Sequence, residues 1–272
     1  TSAPRLVVRV GLPTAAVGGT NRDAMIALVN DMQPQTMTPI VDTLYEAARY
    51  YRGESLQWGD TRKDPVHGNT QYLDDDNTRY MRISHADSYT GGSVYWPSGC
   101  SPTNLTSTSC VTQSITGSPR YISPITSECQ TNHIVFLTDG QPSQNKSEAL
   151  VRSMTGDATC AAGPSAAFWN GTDYTKCGPE LTKYLFEKDQ SASLTGNQTI
   201  QTHTVAFNLN DTSYTDSLAS NGGTTEALSA NSTSELLTAF DKILTSIQSF
   251  DTTFVSPGVT INAFNRLTHR NE

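Results

Sequence analysis

Asp139 is the acidic side chain best placed for chemistry. It sits in Leu137-Thr138-Asp139-Gly140, directly after the apolar run Ile134–Leu137. The β-branched and aromatic content of that run predicts a short strand buried on both faces. A carboxylate and a flexible glycine then fall at its carboxyl end, the edge where open α/β sheets bind ligands. Asp-Gly is also a common turn pair, so the local pattern fits a ligand-facing carboxylate or simply the start of a turn.

A nucleophilic set is harder to assemble. Ser143, His133 and Asp139 are close in sequence, but no Gly-x-Ser-x-Gly elbow presents a serine. His133 and Asp139 flank one strand, which at about 3.3 Å per residue sets them roughly 20 Å apart. His67, His85, His203 and His269 are scattered, without a ligand companion at i+2 or i+4. Asp74-Asp75-Asp76-Asn77 offers oxygens to a calcium ion, but it lacks the glycine and closing glutamate of an EF-hand loop and reads as a solvated acidic turn.

The five cysteines, Cys100, Cys110, Cys129, Cys160 and Cys177, include no CxxC pair and no adjacent histidine at ligand spacing, which argues against zinc. Most lie in polar, glycine- and threonine-rich loops, where disulfides staple segments that cannot bury a core. Proximity suggests Cys100–Cys110 and Cys160–Cys177 with Cys129 left over, although five cysteines do not fix the connectivity. An oxidising compartment follows.

The elements that would position these groups alternate along the chain. Arg5–Leu12 reads as a strand and Asn21 onward as a helix with Met25, Leu28, Val29 and Met32 on one face. Thr38 fits a helix N-cap and Pro39 the first helical position. Ile40, Val41, Leu44, Ala48 and Tyr51 then mark a buried stripe that ends near Gly53. From Glu54 to Ser127 the pattern dissolves into Gly, Pro, Ser, Thr and Asn clusters with short β-like pieces, Tyr80–Ile83 and Ser93–Trp96, and this reads as an insertion. Helices are predicted at Ser147–Met154, at Pro179–Glu187 and after the capping box Ser232–Glu235. Strands are predicted at Thr199–Phe207 and Thr252–Phe264. Alternating strands and amphipathic helices make a mainly parallel α/β sheet.

Composition narrows the classes. In 272 residues the charged fraction is only 16%, and Ser, Thr, Asn and Gly fill the difference, a balance common in exported proteins. A net charge of −8, with no basic stripe, argues against nucleic acid. No run approaches the roughly 18 apolar residues of a membrane span. Thr1-Ser2-Ala3-Pro4 does not begin a signal peptide, so the chain reads as a mature or excised fragment.

Three features in order, the strand Val10-Gly11-Leu12, the helix start Thr38-Pro39 and Leu137-Thr-Asp139-Gly, resemble the von Willebrand factor type A domain. The resemblance narrows with Thr38–Gly53, Arg120-Tyr-x-Ser-Pro-Ile125 and Cys129–Gly140, which are similar to the N-terminal domain of PilC-type pilus-tip adhesins of type IV pili. Phe254–Arg266 is similar to that family's passage into a C-terminal β-propeller. The resemblance implies a doubly wound fold over about residues 1–250, with the insertion at about 54–127 and a linker from 251 to 272. It also implies a metal-ion-dependent adhesion site to which Thr38 and Asp139 contribute. The family's Asp-x-Ser-x-Ser loop is absent, and the first strand here corresponds to the family's second, so the family's own first strand is missing. This fragment is therefore expected to bind Mg²⁺ or another divalent cation weakly or not at all, and the resemblance leaves room for such an ion only in the intact protein.

The function implied is a non-catalytic adhesion and pilus-assembly module at the pilus tip, on the outer membrane of a Gram-negative bacterium. Its expected partners are minor pilins, host-cell or abiotic surface ligands and its own β-propeller, with no nucleic acid and no membrane span. The alternatives are a purely structural assembly subunit and, more remotely, a hydrolase.

Overall fold

The structure, a computed structural model, describes residues 38–61, 83–101, 112–164, 168–169 and 172–253. The expected strand Arg5–Leu12, the helix from Asn21, the acidic turn Asp74–Asn77, Cys110 and the segment beyond Thr253 lie outside the described residues.

Helix α1, Ile40–Tyr51, forms where the apolar stripe predicts it, and Ile40, Val41, Leu44 and Ala48 are buried. It begins one residue late: Pro39 holds the cap position and no side chain caps the helix, so Thr38 is not the N-cap. The helix stops at Arg52, and Gly53 takes φ 63°, a left-handed conformation that glycine adopts without steric penalty. The chain then turns into the insertion. There β1 (Tyr89–Tyr95) pairs antiparallel with β2 (Ser114–Tyr121), and Leu56, Tyr89, Ile115 and Tyr121 make a small satellite core.

The main sheet is parallel, in the order β3 (Asn132–Thr138), β6 (Ile200–Phe207), β7 (Leu228–Ala230). Between β3 and β6 lie α2 (Glu148–Thr155), the short antiparallel pair β4 (Phe168–Trp169) and β5 (Thr172–Asp173), and α3 (Gly178–Glu187). Helix α4 (Ser213–Asn221) joins β6 to β7, and α5 (Thr233–Thr253) follows. The serine half of the capping box forms at the start of α5, where the Glu235 amide donates to Ser232 Oγ, while Glu235 Oε2 accepts the amide of Asn231, one residue before the cap. Thr252 and Thr253, expected to begin a strand, close this helix instead.

Strand alternation sends the two sides of the sheet to different helices. Phe136 and Ile200 pack with Leu44 of α1, Val151 of α2, Leu181 and Leu185 of α3, and Tyr214 and Leu218 of α4. Val205, on the other face, packs with Ala239 and Ile243 of α5. The chain is thus α/β, with a parallel sheet and antiparallel ribbons.

One expectation fails here. β3 was expected to be buried on both faces, yet Val135 and Leu137 are 39% and 45% exposed. The register sets Leu137 beside Val205, but α5 covers the β6 side of that face and leaves the β3 side open. Its own Leu237 and Leu244 are exposed too. Among the described residues, no helix is long and apolar enough to cross a membrane.

Candidate functional site at the carboxyl edge of the sheet

β3 ends in a turn held by its last residue. Thr138 Oγ1 accepts the Gly140 amide at 3.2 Å and donates to the Gly140 carbonyl at 2.9 Å. Asp139 stands exposed on this turn. Thr38 reaches the same place from the start of α1: a Cβ on Gly140 would lie 3.3 Å from Thr38 Oγ1. Thr38 thus lies beside Gly140, the residue that follows Asp139, although the two stretches are about a hundred positions apart in sequence.

The loop after Asp139 is tied to α1 at two levels. The Thr38 amide donates to Ser143 Oγ at 2.7 Å, and the Ser143 amide donates to the Thr38 carbonyl at 3.1 Å. One turn further along, buried Asp42 Oδ1 accepts from the Lys146 amide at 2.8 Å and Ser147 Oγ at 2.7 Å. Burial pushes the Asp42 carboxyl above the usual range, against the pull of the bonds from Ser147 and Lys146. Asp42 Oδ2 is buried without a partner.

A second carboxylate, Glu46, follows Asp42 by four residues and is 1% exposed. It gathers the amides of Gln57, Trp58 and Gly59, and accepts from the Tyr121 hydroxyl at 2.6 Å. Trp58 Nε1 in turn donates to Ser147 Oγ at 3.0 Å. A continuous polar chain thus runs from Tyr121 of the insertion through Glu46, Trp58 and Ser147 to Asp42, at the root of the Asp139 loop. Sequence reading missed both carboxylates. Their spacing was visible, but acids four apart on a helix ordinarily mark a solvated face.

The histidine reading needs a correction. His133 and His203 are not scattered: their strands are paired, and His133 Nδ1 lies 3.2 Å from His203 Nε2. Burial, and then His133, lowers the His203 pKa to about 4. His133 sits at the start of β3 and Asp139 beyond its end, and Ser143 Oγ is already bonded to the Thr38 amide. These three residues are not brought together. Of the cysteines, Cys160 and Cys177 form a disulfide, Cys100 is disulfide-bonded, and Cys129 is free and exposed.

Thr38 and Asp139 supply one hydroxyl and one carboxylate. Among the described residues no three His, Cys, Asp or Glu side chains converge. That donor set is too small for Mg²⁺, which requires near-octahedral oxygen coordination and gives up its waters reluctantly. No protein-family model, curated protein or solved structure matches the chain.

Proposed function

We propose that this domain is a non-catalytic binding module of the von Willebrand factor A type, belonging to the tip adhesin of a type IV pilus. Its contact surface is the carboxyl edge of the parallel sheet at Thr38 and Asp139. The observation that carries the reading is that Thr38, at a helix start, lies beside Gly140, next to the exposed Asp139, on an edge braced by the Thr38–Ser143 bonds. The sheet and helices supply stiffness, and the exposed turn supplies a carboxylate for recognition. The commitment of Ser143 Oγ to Thr38, far from His133, supports a role without nucleophilic catalysis.

In this reading the module works outside the cell, at the pilus tip on the outer membrane of a Gram-negative bacterium. There the disulfides suit an oxidising environment. It engages minor pilins and host-cell or abiotic surfaces, next to its own β-propeller. A divalent cation would need oxygen ligands beyond Thr38 and Asp139, so no step is assigned to one.

The exposed Val135 and Leu137 favour a second reading, in which the domain is a structural assembly subunit that docks on another protein and binds no surface ligand. Capture of a purified minor-pilin complex, compared with adhesion to cultured epithelial cells, separates the two. Loss of cell adhesion in Asp139→Asn with pilin capture intact supports the adhesion module. Pilin capture without cell adhesion, in the unsubstituted protein, supports the structural subunit.

A further inference from the structure

An apolar groove lies over the open side of β3. Helix α5 lays Leu236, Ala239, Ile243 and Ile247 against the sheet, over Val205. At 3.6 residues per turn its other side chains fall on two unlike flanks. Glu235, Thr238 and Lys242 take one flank, where they line a polar cleft with Glu226 and Ser229 at β7. The strand order is β3-β6-β7, so the opposite flank, with Leu237, Phe240 and Leu244, faces the β3 side. Leu237 and Leu244 are 63% and 53% exposed there.

Val135 and Leu137 form the floor of the groove, and this flank of α5 forms its wall. Strands lie about 4.8 Å apart and packed helices about 8–10 Å apart, so one helix covers about two strands. Helix α5 lies over β6 and β7, and a neighbouring helix would lie over β3. Its apolar stripe would have to match the wall, which runs seven residues from Leu237 to Leu244, about 10 Å.

Residues 21–32, outside the described residues, carry such a stripe. Met25, Leu28, Val29 and Met32 recur at helical spacing, again over seven residues, and Asp23 and Asn30 fall opposite them. The segment is also tethered to the groove. Thr38 is held beside the carboxyl end of β3 by its bonds with Ser143. Six steps of chain separate Met32 from Thr38, a reach of at most about 20 Å. A helix over residues 21–32 is about 18 Å long. Only its Met32 end can therefore lie at that edge, because from the far end the chain could not return around the sheet. This direction is antiparallel to α5, which starts at the same edge after β7. We propose that residues 21–32 seat as an amphipathic helix in the groove between β3 and α5, with Met32 beside Leu237 and Met25 beside Leu244. The short tether favours this segment over a second copy of the chain. Asp139 stays free, while Val135 and Leu137 become core rather than a docking surface for another protein.

The test uses the full chain carrying Cys129→Ser, which removes the free exposed thiol and keeps the disulfides. Met25→Cys with Leu244→Cys, and Met32→Cys with Leu237→Cys, should form intrachain disulfides in glutathione buffer. Both should form at least about tenfold faster than the crossed pair Met25→Cys with Leu237→Cys, because crossing adds about 10 Å to a bond that spans about 4.4–6.8 Å between Cα atoms. Intact mass and peptide mapping read the linkage. Equal rates in matched and crossed pairs, or linkage only between chains, would overturn the proposal. Leu137→Cys tests the cover without a cross-link. Its maleimide reactivity should rise about tenfold when Leu28→Asp and Val29→Asp are added with native circular dichroism retained. Unchanged reactivity would overturn the proposal equally. Asp139→Asn should leave both readouts as they are, which separates this inference from the adhesion reading.

Discussion

The amide of Thr38 donates to the Oγ of Ser143, and the amide of Ser143 donates back to the Thr38 carbonyl. This reciprocal pair spans 105 positions of sequence and sets the distance between the start of α1 and the turn that carries Asp139. Ser143→Ala removes the acceptor and leaves a half-buried amide unpaired. The expected loss is about 1 kcal/mol, or a Tm about 2–4 °C lower. Thermal unfolding followed by circular dichroism reads it. An unchanged Tm would mean that the hydroxyl does not brace the edge.

Glu46 is the anchor of the insertion. Glu46→Ala strips the partner from three backbone amides and the Tyr121 hydroxyl, a loss on the order of 3–5 kcal/mol for a buried charged partner. Tyr121→Phe removes the bond to that carboxylate together with the contact to Ser84 Oγ, expected at about 1–3 kcal/mol. Because the two act through one contact, the double variant should lose less than the sum of the singles. Urea denaturation of all four proteins tests this, and strict additivity would count against the network.

The His133–His203 pair gives a pH dependence with a definite sign. The folded pKa of His203 is lowered to about 4 from 6.5, so between those values the unfolded chain holds more protons than the native one. Stability should therefore be full above about pH 6.5 and fall as pH drops towards 4, by on the order of 2–3 kcal/mol at the lower end. Other groups titrate in this range, so the comparison is with His203→Gln, whose stability should be flatter. Urea midpoints at pH 5 and pH 8 make the measurement. Equal slopes in both proteins would refute the assignment.

Asp42 has the opposite sign. Burial raises its folded pKa above the model-peptide value of 3.8, so its contribution is present at low pH and is lost as pH rises through the folded pKa. Asp42→Asn keeps an acceptor for the Lys146 amide and Ser147 hydroxyl and removes the buried charge. It should match or exceed wild-type stability at pH 7. Asp42→Ala leaves both donors bare and should lose about 1–3 kcal/mol. If the two variants are equally destabilised in urea, the carboxylate's charge, rather than its acceptor oxygen, is what the fold requires.

How legible this was in the sequence depended on the range of the interaction. α1 and α3 could be read from helical spacing, β6 from alternation and the start of α5 from its capping box, because each signal is local. The Cys160–Cys177 pairing followed from proximity, and the bridge forms. The double burial of β3 did not hold: four apolar residues in a row look the same whether one face or two are covered, and coverage depends on where α5 lies. Thr38 was read with an N-cap as its local alternative, but the helix starts after Pro39 and Thr38 turns to Ser143 instead. Pairing across parallel strands, as in His133 with His203, leaves no spacing signature. Buried acids such as Asp42 and Glu46 look like surface residues until their donors, scattered through loops, are in place.

The most direct test of the central claim is the binding of immobilised domain to cultured epithelial cells and to purified minor-pilin complex, comparing wild type with Asp139→Asn and Thr38→Val. Both variants should lose cell adhesion at least about tenfold, about 1.4 kcal/mol, with each Tm within about 2 °C of wild type, as for a substitution away from the core. Adhesion that both folded variants retain in full would contradict it, and would move the contact surface away from the carboxyl edge of the sheet.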